Sequence, residues 1–173
     1  MAKTLGVQLE ADPTAEVVLR ALTDHETVHW CTHGVFREDN PMFSHLAVQD
    51  GGLFVADLQG RSFRAKRVIL SACNTGRVLA GRADDVAGIA VTLLEGGVSQ
   101  LVASQWRVHD RATIDLMTAF HRALEEMQGE TSHYAGGDSK GSFETAEALH
   151  RAMREVREVW EHPFFWGGFA VFG

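Results

Sequence analysis

Apolar residues recur along this chain in short runs that predict strands and in spaced patterns that predict helices. The strand-like runs cover Leu5–Leu9, Thr27–Thr32, Arg67–Ala72 and Ser99–Ser104, and Arg67–Ala72 is of the β-branched type that suits a buried central strand. Apolar residues three and four positions apart predict helices, one opened by Asp12-Pro13-Thr14 and others at Val86–Leu94, Asp110–Met127 and Phe143–Val159. Because strands and helices alternate, the pattern predicts an α/β fold with a mainly parallel sheet flanked by helices.

A long polar and glycine-bearing segment, Val35–Lys66, interrupts this alternation. Within it Asp50-Gly51-Gly52 predicts a hairpin turn, because Asp-Gly suits the backbone of a tight two-residue turn. The turn would join a strand at Leu46–Gln49 to one at Leu53–Val55. The tail Phe164–Phe172 is rich in aromatic residues and glycine, and it predicts a strand at the edge of the sheet.

Length and composition predict one compact domain over residues 1–173. Of the 173 residues 45% are hydrophobic and 23% are charged, so the chain carries enough apolar material for a core of ordinary size. One segment departs from this composition. Gln128–Ser142 combines glycine, serine and charged residues that cannot form a core, and it predicts a mobile surface loop.

Charge and segment composition argue against several classes of function. The formal net charge is −7 and no basic run occurs, so neither nucleic acid nor an anionic membrane is the expected partner. No stretch of about 18 apolar residues predicts a membrane span, and the first residues lack the pattern of a secretory signal. The two cysteines, Cys31 and Cys73, are too few for a disulfide scaffold, so we expect a reduced, cytoplasmic protein.

Two of the predicted strands end in residues that can carry chemistry. Thr27–Thr32 runs into His33, and Arg67–Ala72 runs into Cys73. Reactive groups of open α/β sheets collect at the carboxyl ends of parallel strands. If the two strands are neighbours, His33 lies beside Cys73 and can supply the base that a thiol nucleophile needs. Gly34 allows a ligand to approach closely, and the N–H groups of Gly34 and Cys73 can stabilise an oxyanion.

Four blocks of the sequence, in the same order, resemble those of the CHAT domain family. VHWCTHGVF is similar to the family's strand followed by T-H-G, and VILSACNTG is similar to its S-A-C-x-T-G motif. VASQWRVHDRAT resembles the family's strand followed by a tryptophan and an acidic residue, and HPFFWGGFAVFG resembles its C-terminal H-P-aromatic-aromatic-W segment. The resemblance covers about residues 5–173. It implies a caspase-like three-layer sandwich and the activity of the cysteine endopeptidases that include caspases, separases and gingipains.

The resemblance also implies roles for individual residues. His33 would be the catalytic histidine and Cys73 the nucleophile, with Gly34 and Cys73 holding the oxyanion. Asp110 lies where relatives keep an acidic residue after the tryptophan, and in some of these proteases an acidic group near that position contacts a basic side chain of the substrate. Trp106 of the same block is a candidate for lining the substrate groove. No cofactor and no metal is implied. The expected partners are a protein substrate and a regulatory or activating protein, and oligomerisation is left open.

The chain departs from the family pattern at three points. The strand that usually precedes the Leu5–Leu9 region is missing, the tetratricopeptide-type repeats often attached upstream are absent, and Asp84-Asp85 replaces the more usual Glu-Gly. An unpaired sheet edge and long loops beside His33 predict a peptidase that is latent until a partner activates it. The same departures leave open that the chain is part of a longer protein. They also leave open a non-catalytic interaction or scaffold module of a larger assembly.

Structural roles compete with functional ones for several of these side chains. Cys31 is predicted to pack in the core, although Cys31 and Cys73 would make a redox pair if their Cα atoms lay within ~7 Å. His29, Cys31 and His33 share one strand face and form a weak pattern for a metal half-site. Asp110 can instead cap a helix that begins at Arg111, since aspartate is strongly preferred at that position.

The remaining aromatic and histidine side chains have structural interpretations as well. Trp106 and Trp166 are as consistent with packing at the ends of the sheet as with a substrate groove. His109 is predicted to be exposed. His162 belongs to the tail motif and is predicted to be a structural hydrogen-bonding residue rather than a catalyst.

Overall fold

The computed structural model describes residues 10–35, 37, 39–71, 88–130 and 138–173. The chain divides into two compact units: the first contains Ala11–Arg107 with Phe169–Gly173, and the second contains Val108–Gly168. The strand predicted at Leu5–Leu9 lies outside the described residues, and so does Cys73. No helix in the described part of the chain is both long enough and apolar enough to cross a bilayer.

Strands and helices alternate in the first unit, as the sequence pattern predicts. In chain order it contains α1 (Ala15–Asp24), β1 (Thr27–Cys31), β2 (Gly34–Val35), β3 (His45–Val48), β4 (Gly51–Phe54), α2 (Val55–Leu58), β5 (Arg67–Ser71), α3 (Ile89–Glu95), β6 (Gln100–Ser104) and β7 (Phe169–Phe172). The second unit contains α4 (Asp110–Glu130) and α5 (Asp138–Val156). Short 3-10 turns occur at Pro41–Phe43 and Pro163–Phe165.

Among the described residues, the main sheet has the strand order β1-β5-β6-β7. The strands β1, β5 and β6 run parallel, while β7 is antiparallel to β6 and lies at one edge. The edge strand predicted in the tail is therefore confirmed. The α/β class, with a mostly parallel sheet flanked by helices, is confirmed as well.

The two central strands of this sheet are buried along their full length. Every residue of β5 (RVILS) and of β6 (QLVAS) is buried, as expected for central parallel strands covered on both faces. Val68, Leu70 and Leu101 belong to one hydrophobic core. The polar residues that begin these strands bond to each other, since Arg67 Nε donates to Gln100 Oε1 over 2.9 Å.

Helix α1 begins and packs as its sequence predicts. Thr14 is its N-cap, and the Thr14 hydroxyl oxygen accepts a hydrogen bond from the Val17 N–H, which satisfies one of the amides that the first helical turn leaves without a partner. Val18 and Leu22, four positions apart, are both buried. The helix therefore presents one apolar face to the core.

A smaller antiparallel sheet, β2-β3-β4, occupies the segment predicted to be long and polar. The predicted hairpin is present, but its two-residue turn is Gln49-Asp50 rather than Asp50-Gly51-Gly52. Gly51 follows the turn with φ of +126°, a conformation that other residues rarely adopt. A Cβ on Gly52 would lie 2.6 Å from the His45 ring. Both glycines are therefore used inside β4, which moves the turn towards the N-terminus.

The first long helix of the second unit ends later than the sequence predicts, at Glu130 rather than Met127, and the second begins earlier and ends at Val156 rather than Val159. Their buried residues include Leu116, Phe120, Leu124, Ala148, Leu149 and Ala152. Within Gln128–Ser142, the segment predicted to be a loop, α4 continues to Glu130 and α5 begins at Asp138. Residues 131–137 lie outside the described residues. Glutamine, glutamate and lysine are good helix formers, and extending an existing helix costs little, so the polar composition of the segment did not exclude helix.

Candidate active site

The parallel pairing of β1 with β5 brings together the two strand ends that the sequence singles out. The register aligns Cys31, the last residue of β1, with Ser71, the last residue of β5. The chain therefore leaves both strands at the same carboxyl edge, just before His33 on one side and just before Cys73 on the other. The condition that the two strands are neighbours is therefore met, while Cys73 itself lies outside the described residues.

His33 follows β1 closely, and its backbone is held by β3. The Thr32 hydroxyl donates to the Ala47 carbonyl over 2.7 Å, and the Ala47 N–H donates to the His33 carbonyl over 2.8 Å. One residue of β3 thus bonds two consecutive residues at the end of β1. The His33 side chain is exposed, so the position of its backbone is fixed while its ring stays accessible to a second reactant.

Gly34 begins β2, and the β2–β3 ladder does not use its N–H. Gly34 is aligned with Leu46, and the hydrogen bond next to this pair joins His33 to Ala47. Bonded and non-bonded pairs alternate along an antiparallel ladder, so the Gly34 N–H faces away from β3. A backbone donor that is not consumed by its own sheet is what an oxyanion site requires.

A second histidine of β1 connects directly to β5. His29 Nε2 and Ser71 Oγ share a hydrogen bond of 2.8 Å, which either tautomer of the ring allows because a hydroxyl both donates and accepts. His29 is half-buried, and Ser71 is buried. Alternation along β1 predicts the face on which His29 lies but not this partner. The partner of His29 can be identified only from the register in which β1 pairs with β5, because polar residues on one face of two neighbouring strands come within reach of each other.

The prediction that Cys31 packs in the core is wrong, because Cys31 is exposed. Within the described sheet β1 is an edge strand. Its residues alternate, with Val28 and Trp30 buried on one face and Thr27 and Cys31 exposed on the other. The position of a residue along a strand therefore decides its burial here, more than its chemical type. In the described part of the chain, no group of three His, Cys, Asp or Glu residues is arranged to hold a metal ion.

The start of α4 is capped by His109 and not by Asp110. The helix begins at Asp110, the His109 carbonyl accepts from the Thr113 N–H over 2.9 Å, and His109 Nδ1 accepts from the Ala112 N–H at 3.4 Å. The interpretation that Asp110 caps a helix beginning at Arg111 is therefore wrong. A carboxylate in the first turn interacts favourably with the helix dipole, which gives Asp110 a structural role of another kind.

The substrate-contacting role of Asp110 stays a prediction. Its side chain is exposed, whereas strong recognition of a lysine or arginine needs a carboxylate shielded from water. Bound substrate would have to supply that shielding. Trp106 is half-buried, as is typical of a tryptophan that packs at the end of a sheet, and its place in a substrate groove stays a prediction as well.

His109 also belongs to an aromatic cluster in the second unit. Its ring centroid lies 5.1 Å from that of Trp160 and 5.4 Å from that of Phe165. His109 is exposed, as predicted. His162 Nδ1 accepts from the Phe164 N–H over 3.1 Å, so the structural hydrogen-bonding role predicted for His162 is confirmed. Nearby Trp166 is half-buried.

The segment that follows β2 carries a two-bonded ion pair. Arg37 donates to the two carboxylate oxygens of Asp39 over 2.9 and 2.7 Å. These hydrogen bonds stabilise the charged carboxylate and lower the pKa of Asp39 to about 2. The backbone N–H of Arg37 donates to the hydroxyl of buried Ser44 over 3.0 Å. The chain is thus anchored again shortly after it leaves His33.

The fold and the arrangement of strand ends fit the caspase-like class of α/β proteins. A model of the CHAT domain, a caspase-like family, matches residues 2–173. The chain belongs to the CHAT domain family. No curated protein matches its sequence at a significant level.

Proposed function

We propose that the chain is a cysteine endopeptidase in which His33 and Cys73 act together on a peptide bond of a protein substrate. The observation that carries the proposal is the parallel pairing of β1 with β5, with Cys31 aligned with Ser71. These strands lead into THG and ACNTG. Membership of a caspase-like family adds support.

The covalent chain limits how far apart the two reactive groups can be. His33 and Cys73 each come two residues after an aligned pair. An extended chain spans at most about 3.6 Å per residue, so each Cα lies within about 7 Å of its strand end. Neighbouring strands are about 4.8 Å apart. An approach of the imidazole to the thiol is therefore within the reach of the chain.

In the proposed mechanism the Cys73 thiolate attacks the carbonyl carbon of the scissile bond. A C–S bond forms, and the carbonyl electron pair moves onto oxygen to give a tetrahedral oxyanion. When this intermediate collapses, the C–N bond breaks and His33 gives a proton to the leaving amine. Water then attacks the acyl-enzyme while His33 removes its proton. The C–S bond then breaks, the carboxylic acid product leaves, and the Cys73 thiolate is regenerated beside protonated His33.

The oxyanion is assigned to the N–H groups of Gly34 and Cys73. The orientation of Gly34 supports its part of this assignment, because its N–H faces away from β3. Removing one oxyanion donor from a related kind of site costs about 10²–10³ in rate. The backbone N–H at position 34 is therefore part of the proposed chemistry, and Gly34→Pro, which removes it, is expected to lower the rate strongly.

We further propose that a protein partner activates the enzyme in the cytoplasm. Backbone contacts with Ala47 hold His33 in place, but its exposed ring has rotational freedom that catalysis must remove. A misplacement of about 1 Å can cost about 10²-fold in rate. A partner or substrate that fixes this ring would therefore raise turnover strongly.

The test combines substrate profiling with covalent labelling. A peptide library identifies a cleaved sequence, and the same sequence carrying an electrophilic ketone is then used to label the enzyme for mass spectrometry. We expect the label on Cys73. Both labelling and cleavage should disappear in Cys73→Ala and fall sharply in His33→Ala, while Cys31→Ala should retain both.

Two outcomes contradict the proposal. One is peptide cleavage that persists in Cys73→Ala. The other is a probe that reacts with exposed Cys31 and leaves Cys73 unmodified in the presence of any candidate activator. The second outcome would favour a CHAT-like interaction or scaffold module without catalytic activity.

A further inference from the structure

We propose that the hydrogen bond between His29 and Ser71 is a clamp that positions His33 relative to Cys73. In this proposal His29 and Ser71 are positioning residues, which act on the reaction through the two strand ends. The proposal rests on the proposed function for its effect on turnover, while the contact itself belongs to the fold.

The clamp lies at the carboxyl edge of the paired strands. Ser71 is the last residue of β5 and directly precedes the segment with Cys73, while His29 lies in β1 shortly before His33. His29 is aligned with Ile69, so its 2.8 Å bond to Ser71 runs diagonally towards the carboxyl edge. A diagonal side-chain bond fixes the offset of the strands along their length as well as their separation.

Burial makes this contact costly to lose. Ser71 is only 6% exposed, and a buried hydroxyl that loses its partner destabilises the fold because its desolvation is no longer compensated. Cys31, which is aligned with Ser71, is exposed. In the described sheet β1 pairs on one side only, and strand ends of this kind are prone to open locally. The clamp therefore restrains the last pair before the two reactive residues.

Small movements at this point would matter for the chemistry. A displacement of about 1 Å between nucleophile and base can cost about 10²-fold in rate. Loss of the clamp is expected to let the strand ends shift by a fraction of that distance. The predicted effect on turnover is accordingly about tenfold.

The test uses a Cys31→Ala background, so that Cys73 is the only cysteine in the sequence. Ser71→Ala and His29→Leu remove the bond. Ser71→Thr keeps the hydroxyl, and His29→Gln places an amide nitrogen near the position of Nε2, so these two variants are the matched controls. Thr27→Ala changes an exposed residue on the same strand and face.

Two readouts are measured for each variant. The first is the rate of iodoacetamide alkylation of Cys73 as a function of pH, which needs no substrate. The second is the pair kcat and KM for a cleaved peptide. Ser71→Ala and His29→Leu should shift the pH profile of alkylation and lower kcat about tenfold with KM unchanged. Ser71→Thr, His29→Gln and Thr27→Ala should stay within about threefold of the background, and the Ser71→Ala, His29→Leu double variant should lose no more than either single variant.

Two results overturn the clamp. One is a background-like alkylation profile in folded Ser71→Ala and His29→Leu. The other is His29→Gln being as impaired as His29→Leu, which would show that the imidazole itself acts in the reaction. If Ser71→Ala does not fold, the comparison of His29→Leu with His29→Gln tests the clamp instead. If the chain cleaves no peptide but Ser71→Ala and His29→Leu still shift the pH profile of alkylation, the clamp is supported and the peptidase proposal is contradicted.

Discussion

The end of β1 and the start of α4 both carry residues that the sequence offers as functional, but they are held in different ways. At the start of α4, His109 caps the helix through the amides of Ala112 and Thr113, all within one helical turn. At the end of β1, His33 is held by Ala47, which lies in a different sheet. The helix start is thus explained by local helix stability. The strand end uses long-range contacts to fix a residue whose side chain remains exposed, which points to a role outside the fold itself.

The largest effect is expected for His33→Ala, which tests whether the histidine held at the end of β1 takes part in the reaction. Removing a general base or acid typically costs about 10²–10⁴ in rate, and an exposed side chain should contribute little to stability. We therefore expect kcat/KM to fall by about 10²–10⁴ with an unchanged thermal midpoint. His25→Ala, at an exposed histidine of the same unit, is the control. Equal activity of the two variants would remove His33 from the mechanism.

Thr32→Val tests whether the contact with β3 matters for activity. The variant loses the 2.7 Å bond to the Ala47 carbonyl, which should cost about 1 kcal/mol of stability. It should also lower kcat about tenfold, because the His33 backbone is then held less firmly. Thr32→Ser keeps the hydroxyl and serves as control in urea unfolding and peptide cleavage. Lower stability with full kcat would make Thr32 purely structural.

His109→Ala is expected to affect stability alone. Loss of an N-cap side chain typically costs about 1 kcal/mol, and nothing in the proposed reaction uses His109. His109→Asn should recover most of the loss, since asparagine caps well. Urea unfolding measures the first expectation and peptide cleavage the second. A large loss of activity in His109→Ala would contradict the purely structural role assigned to the start of α4.

Asp110→Asn should have a still smaller effect on stability. A first-turn carboxylate contributes about 0.3–1 kcal/mol through the helix dipole, and asparagine removes only the charge. Cleavage rates of peptides with Lys, Arg and Leu before the scissile bond should be compared in the variant. A selective loss for Lys and Arg would show that bound substrate completes a basic pocket around Asp110. Equal rates in the variant and the parent would show that Asp110 has only a structural role at the start of α4.

The smallest expected effect concerns the ion pair that follows β2. Arg37 lowers the pKa of Asp39 to about 2, from an ordinary value of about 3.9. Its contribution to stability is therefore present above the ordinary pKa and is lost as pH falls through about 2. In Arg37→Gln, NMR titration of Asp39 should show a midpoint near the ordinary value, while unfolding at neutral pH changes little because both side chains are exposed. A midpoint that stays low would mean that Arg37 is not the cause.

Patterns that depend on neighbouring positions could be predicted from the sequence. The apolar runs of β5 and β6 predict buried central strands, and Thr14 predicts the start of α1. Residue preferences also explain where such predictions go wrong. Aspartate is strongly preferred as an N-cap, which favours Asp110 as the cap, yet Asp110 is the first residue of the helix and His109 caps it.

Contacts between distant strands could not be predicted in the same way. Strand alternation tells which face His29 occupies, but its bond to Ser71 depends on the register of β1 with β5. The bonds from Thr32 and His33 to Ala47 likewise depend on how β3 meets the end of β1. The exposure of Cys31 accompanies the edge position that β1 has in the sheet of the described residues, which no local pattern reveals.

The most direct test of the central claim is a crystal structure of the chain bound covalently to a peptide electrophile. The distance to measure joins Cys73 Sγ to the nearest ring nitrogen of His33. The account predicts a thioether bond at Cys73, a His33 nitrogen within about 4 Å of the sulfur, and the Gly34 N–H directed at the oxygen of the adduct. An adduct at Cys73 with the His33 ring turned away, or with His29 as the nearest imidazole, would contradict the proposed dyad.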